Sequence, residues 1–322
     1  NFILGKDKKA MSYLNSIPLE LLKDELSIQE LTKLFIDLNM YDHAHTYLQK
    51  IIDHDPYNYN AWYFVGLIFQ RQEKNNEAID AYEYCIAIDE QNTMGQLGKG
   101  NCLMELGKYT EAITFLKSSL DNDETDAEVH CNIAECYENL KDYTAAKFNY
   151  HKSLEINPNL SDAYFGIATI YKKNQEWKAA EKNLLKAISI DRYEVMYLIE
   201  LAEIYLILEN KDRCYFNYDQ AVKIDSETIE ILLDFAHAKF ELGDIKEAIQ
   251  LLLDNIEHYD DDARIFYRIA SYTFTIGENE KGYNFLHEAL KMNPKEYILL
   301  YEFAPFLEHN QNITNIIDIY IN

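Results

Sequence analysis

The stretch Ala61-Trp62-Tyr63-Phe64-Val65-Gly66-Leu67-Ile68-Phe69, followed by Glu77-Ala78-Ile79 and Tyr82, decides the fold. Trp62, Val65, Gly66 and Phe69 are spaced as one face of a helix. Ala78 and Tyr82 begin a second stripe of the same kind. Gly66 and Ala78 are the small members of the two stripes, and small side chains let two helix backbones approach closely. The stretch therefore reads as a helical hairpin.

The pattern recurs every 34 residues. Stepping from Gly66 gives Thr32, Gly66, Gly100, Ala134, Ala168, Ala202, Ala236, Ala270 and Ala304. Stepping from Ala78 gives Ala44, Ala78, Ala112, Ala146, Ala180, Cys214, Ala248 and Gly282. Every residue in both columns is small. Large apolar residues flank them at Leu31, Val65, Ile133, Ile167, Leu201, Phe235, Ile269 and Phe303, with Lys99 the exception. Pro56, Pro158 and Pro294 are 102 and 136 residues apart, three and four times 34. A fixed period of this length is the signature of a solenoid.

Units then begin at Glu25, Tyr59, Thr93, Ala127, Ser161, Val195, Ile229 and Ala263. Residues 25–296 make eight full units, 297–322 a partial ninth, and 1–24 the end of a truncated unit plus a linker. Ser27-Ile28-Gln29-Glu30 reads as a capping box opening the first full unit. Gly107 and Gly243 stand where first helices should end. Pro305 falls inside the first helix of the ninth unit, and a break is expected near Tyr301–Ala304. Ala10 and Leu14 fit second-helix places, and the apolar run Ile316-Ile317-Asp318-Ile319-Tyr320-Ile321 has no polar cap after it. Both ends therefore read as internal to a longer array, and self-association through uncapped ends is one expectation.

The chain has 322 residues, 30 Lys+Arg and 55 Asp+Glu, a net charge of −25. That charge opposes binding to nucleic acid and docking on anionic lipid. No apolar run approaches the ~18 residues that a membrane helix needs. Five scattered cysteines fit a reducing compartment, hence the cytoplasm, better than a disulfide framework.

The quoted stretch, together with Tyr143-Thr144-Ala145-Ala146-Lys147 and Asn157-Pro158, resembles the tetratricopeptide repeat signature over essentially the whole chain. The resemblance implies an all-α fold: a right-handed α-solenoid superhelix of tandem 34-residue helical hairpins. It also implies that first helices line a concave groove and second helices the convex side.

No catalytic constellation, metal site or cofactor site is read. His130, Cys131, Cys136 and His151 look like a cluster, but Cys131 and Cys136 point about 140° apart on one helix. Gly95-Gln96-Leu97-Gly98-Lys99-Gly100-Asn101 lacks the spacing of a phosphate loop and lies in a first helix. Gly95 and Gly98 are expected to leave a shallow gap or soft spot. Lys178, Lys182 and Lys186 read as a solvated stripe on a second helix.

Under the resemblance, the groove is lined by Tyr63, Phe165, Ile199, Leu233 and Tyr267 in one row, with Leu206, Phe240 and Phe274 beside it. Glu203, Glu230 and Glu241 form an acidic rim. Asn101 and Asn132 match the asparagines of the family's carboxylate clamp, but Leu97, Asp162 and Gly166 occupy its basic places. The asparagine ladder of the O-linked N-acetylglucosamine transferase superhelix is absent, since the sixth places read Phe64, Gly98, Asn132, Gly166, Glu200, Asp234 and Arg268. Asn101 with Asn132 can still grip a peptide backbone, because each amide both donates and accepts. The expectation is a non-enzymatic protein–protein interaction scaffold whose partner is a basic or amphipathic protein or peptide. A regulatory or assembly segment of a larger enzyme or sensor is the alternative.

Overall fold

The computed structural model describes residues 25–120 and 125–321. The expectations for Ala10, Leu14 and the rest of 1–24 lie outside the described residues. The described residues are all-α and fold as successive hairpins. First helices are α1 (Glu25–Asp37), α3 (Tyr59–Arg71), α5 (Thr93–Glu105), α7 (Ala127–Asn139), α9 (Ser161–Lys173), α11 (Val195–Ile207), α13 (Ile229–Glu241) and α15 (Ala263–Thr275). Second helices are α2 (Tyr41–His54), α4 (Asn75–Ile88), α6 (Tyr109–Ser119), α8 (Tyr143–Ile156), α10 (Trp177–Ile190), α12 (Lys211–Ile224), α14 (Ile245–Asn255) and α16 (Asn279–Met292). A last pair, α17 (Ile298–Phe303) and α18 (Gln311–Ile321), follows a 3-10 turn at Pro294–Glu296. The chain divides into two compact units, one ending at Ile170 and the other beginning at Tyr171.

Each hairpin has a chemical start and stop. Asn58, Asn92, Asp126, Glu194 and Asp262 accept backbone N–H groups at the starts of α3, α5, α7, α11 and α15. The turn between the helices places one residue in the left-handed region: Asn39, Glu73, Gly107, Lys141, Gln175, Glu209, Gly243 and Gly277. This residue frees the next N–H to bond the last turn, as Lys108 N–H donates to the Leu103 carbonyl at 2.9 Å.

The small columns sit at the helix crossings. Ala44, Ala78, Ala112, Ala146, Ala180, Cys214 and Ala248 are all fully buried, and so are Thr32, Ala134, Ala202, Ala236 and Ala270. Lys99 keeps its column by lying along apolar surface, with its ammonium 3.9 Å from the Phe115 ring centroid and 2.7 Å from Glu83. The soft spot expected at Gly95 and Gly98 is instead filled. A Cβ on Gly98 would lie 2.4 Å from the Tyr82 ring, and one on Gly95 would lie 3.0 Å from the Cys85 sulfur. Near Pro305, α17 ends at Phe303, Ala304 leaves helical geometry (φ −138°, ψ 59°), and a 3-10 turn runs over Pro305–Leu307. The proline ring breaks the helix where its missing N–H and its bulk require.

Candidate functional site

In the unit ending at Ile170, α1, α3 and α5 enclose two adjoining cavities. One, of about 550 Å³, is lined by Lys33, Ile36, Tyr59, Tyr63, Leu67, Arg71 and Met94 among others. The other, of about 490 Å³, shares Tyr63, Leu67, Arg71 and Met94 and adds Gln70, Tyr82, Leu97, Asn101 and Glu105. Tyr63 is half-buried, edge-on to Phe64 at 5.1 Å and tilted on Tyr82 at 5.9 Å. Burial pushes its phenol up. Met94 is 52% exposed.

Tyr82 belongs to a second helix, yet its side chain reaches the face of the first helices. It passes beside Gly66 and Gly98, where a Cβ would strike its ring at 2.6 and 2.4 Å. Its hydroxyl donates to Gln70 Oε1 at 3.0 Å. Tyr150 does the same one unit pair later. A Cβ on Gly166 would lie 2.1 Å from its ring, and its hydroxyl donates to Glu138 Oε2 at 3.1 Å. Desolvation raises both phenols first, so they remain neutral donors. Sequence reasoning missed these two groups. The signal was present as a Tyr followed sixteen residues later by Gly.

Between them Asn132 Nδ2 donates to Asn101 Oδ1 at 3.0 Å, joining α5 to α7. Each amide retains a group that this bond does not use. Glu105 lines a cavity with Asn101, and Glu135 and Glu138 share α7 with Asn132. The Glu135 carboxyl is raised by partial desolvation, then by Glu105, Glu138 and Asp162. Phe165 is half-buried on α9.

In the unit beginning at Tyr171 the expected row is mostly closed. Leu233 is 6% exposed, Tyr267 is fully buried and Phe274 is 4% exposed. Tyr267 and Phe274 join a core with Leu286, Leu300 and Leu307, and the Tyr267 hydroxyl donates to the Asn293 carbonyl at 2.8 Å. A Cβ on Gly282 would lie 2.9 Å from the Phe274 ring. These three residues are therefore packing groups rather than open surface. Ile199 and Leu206 are half-buried. Phe240 is also half-buried, stacked on Tyr272 at 4.6 Å and edge-on to Phe303 at 6.0 Å. A cavity of about 560 Å³ lies beside Leu206, Ile207, His237 and Glu241. The acidic rim is partly neutralised, since Lys172 pairs with both Glu200 and Glu203, and Arg264 pairs with Glu230 at 2.6 Å.

Among the described residues no group of three or more His, Cys, Asp or Glu could hold a metal ion, and no helix is long and apolar enough to cross a membrane. The five cysteines are unpaired and buried. Burial pushes the Cys85, Cys102, Cys131, Cys136 and Cys214 thiols up to about 12, which leaves them protonated and inert. Lys178, Lys182 and Lys186 are exposed on α10.

The architecture is shared with known proteins. The chain aligns with PilW, a type IV pilus biogenesis factor, at 18% identity and a TM-score of 0.59, over 64% of this chain and 96% of that one. Pseudomonas aeruginosa pilF aligns at 19% identity and a TM-score of 0.57, over 66% of this chain and 97% of the other. A tetratricopeptide repeat protein from Parabacteroides merdae covers more: 92% of this chain and 99% of its own, at 17% identity and a TM-score of 0.54. At these identities the likeness is one of fold. No curated protein matches by sequence. The tetratricopeptide repeat family profiles match residues 31–93, 69–136, 127–160 and 161–194, without a break from 31 to 194. With the 34-residue hairpins and the buried small columns, these matches place the chain in the tetratricopeptide repeat family.

Proposed function

We propose that the chain is a non-enzymatic interaction scaffold that holds an extended segment of a partner protein on the first-helix face of the unit ending at Ile170. Tetratricopeptide repeat proteins typically mediate protein–protein interactions, and their fold is usually non-catalytic. The observation that carries the proposal is the pair of adjoining cavities sharing Tyr63, Leu67, Arg71 and Met94. Beside them lies a floor of hydrogen-bonding groups, from Gln70 with Tyr82 to Asn101 with Asn132. Apolar depressions anchor side chains, and amide groups with unused capacity meet an extended backbone. Ile199, Leu206 and Phe240 of the other unit keep partial exposure and remain proposed contacts. The free, buried thiols suit a reducing compartment such as the cytoplasm.

The test is affinity capture with identification of the bound protein, followed by titration with variants. Met94→Asp should weaken binding at least tenfold, and Lys178→Ala on α10 should leave it unchanged. Equal affinity for both variants would refute the assignment of this face. A second reading rests on Ile319 and Phe306, 74% and 58% exposed in the last described hairpin, which favour self-association there. Sedimentation showing a monomer at high concentration removes it.

A further inference from the structure

The first-helix face of the unit ending at Ile170 carries its charge unevenly. The linings of the two cavities mix the signs, with Lys33 and Arg71 against Asp37, Glu73 and Glu105. Further along, carboxylates predominate: Glu105 on α5, Glu135 and Glu138 on α7, and Asp162 in the first turn of α9, whose Lys172 and Lys173 lie in its last turn. The only Lys or Arg of α5, Lys99, is turned to Glu83 and the Phe115 ring, and α7 has neither residue type. Partial desolvation raises the Glu135 carboxyl first, and Glu105, Glu138 and Asp162 each add to it. Glu105 lines the far side of the cavity that holds Tyr63, Leu67 and Met94, and Glu135, Glu138 and Asp162 lie beyond it on α7 and α9.

Resting on the assignment of this face as the binding face, we infer that its occupant is an extended segment with a large apolar side chain at one end and Lys or Arg residues at the other, about six residues apart. A segment laid over Glu105 and Glu135 desolvates them, and a buried carboxylate without a cationic partner is costly. A cationic end offsets that cost and is steered in by the field. The spacing follows from the helices. α3 packs on α5 and α5 on α7; packed helices stand about 8–10 Å apart, so α3 to α7 is roughly 20 Å. An extended chain covers about 3.3 Å per residue, so roughly six residues span it. A helical segment rises only about 1.5 Å per residue and keeps its backbone groups to itself, so it would leave the spare amide groups of Asn101 and Asn132 unmet.

Three capped synthetic peptides test this against the whole chain by titration calorimetry. The first carries Trp-Leu, six neutral polar residues, then Arg-Lys-Arg. The second has the same residues with the basic triplet directly after Trp-Leu. The third has Gln in place of the three basic residues. The first should bind at least tenfold tighter than the other two and lose most of that advantage in high salt. Glu105→Gln combined with Glu135→Gln should weaken the first peptide about tenfold and leave the third unchanged. Met94→Asp should weaken all three. All substituted residues are exposed, so circular dichroism should not change. If the second or third peptide binds as well as the first, the charge register is overturned while the binding face stands. If Met94→Asp leaves a bound peptide's affinity unchanged, the face itself is wrong and both inferences fall. If no peptide binds up to millimolar concentration, the inference about chemistry fails, and the natural-partner titration alone decides the face.

Discussion

Replacing Gly166 by alanine sets two effects against each other. Alanine is favoured over glycine inside a helix by about 1 kcal/mol. A Cβ at Gly166, however, would lie 2.1 Å from Tyr150 Cζ and 2.3 Å from its hydroxyl oxygen. Tyr150 is 3% exposed and held by Glu138, so the ring has no open space to enter. Overpacking of this kind costs about 1–3 kcal/mol, and contacts this short belong at the upper end. The net expectation is a loss of about 2 kcal/mol, or about 4–8 °C in melting temperature for a unit of this size. Thermal melts and urea titrations by circular dichroism measure it. A double-mutant cycle with Tyr150→Leu isolates the cause, because Leu occupies this column at Leu48, Leu116, Leu184, Leu252 and Leu286. In the Leu background Gly166→Ala should cost nothing or stabilise by up to about 1 kcal/mol. An equal loss in both backgrounds, or none beside Tyr150, would refute the steric account.

Phe274→Ala should lower stability by about 3–5 kcal/mol, as core truncations do, while the folded fraction keeps its partner affinity; a melt and a titration on one sample separate the two effects. At pH 8 the five thiols, near 12, should be about 10⁻⁴ ionised. Their reaction with a disulfide reagent should track unfolding in urea, and fast labelling of the native protein would contradict the burial. Arg264 also governs an acid transition. Burial would raise Asp262, but hydrogen bonds from Arg264 outweigh it and hold the carboxyl low; the Arg264 hydrogen bond likewise lowers Glu230. Folded values below unfolded ones mean stability present above about pH 4 and lost as pH falls through the folded values. Arg264→Gln should therefore destabilise at pH 7, and the two stability curves should converge once the pH falls below the folded values of both carboxyls.

The repeat was legible because its determinants are local in register. Two small columns fix where helices cross, and crossings this close tolerate nothing larger. Turn geometry was legible only where glycine marked it, at Gly107 and Gly243. Asn39, Glu73, Lys141, Gln175 and Glu209 take the same left-handed conformation without that mark. At those five places hairpin packing sets the backbone and overrides the side chain's preference, so no local pattern reports it. Lys99 follows the same logic, since its exception makes sense only once Phe115 and Glu83 are beside it.

The site was less legible, because exposure on a first helix depends on what the next hairpin does. Tyr63 and Tyr267 occupy equivalent places, yet Tyr63 lines two cavities and Tyr267 is sealed. The difference lies in α17 and in Gly282, whose missing side chain lets Phe274 settle inward. Polarity of the first-helix face likewise comes partly from second helices, through Tyr82 and Tyr150. The rule behind them is a pair of columns: Tyr82 and Tyr150 are followed sixteen residues later by Gly98 and Gly166, and the five Leu residues by Phe64, Asn132, Glu200, Arg268 and Glu302. Tyr218 departs from it, being followed by Asp234, and its ring stacks on Phe235 at 5.6 Å. Where the sixth place is glycine, the tyrosine ring takes the space that a Cβ would fill. The floor of the proposed groove is therefore set by packing between neighbouring hairpins as much as by the residues that point into it.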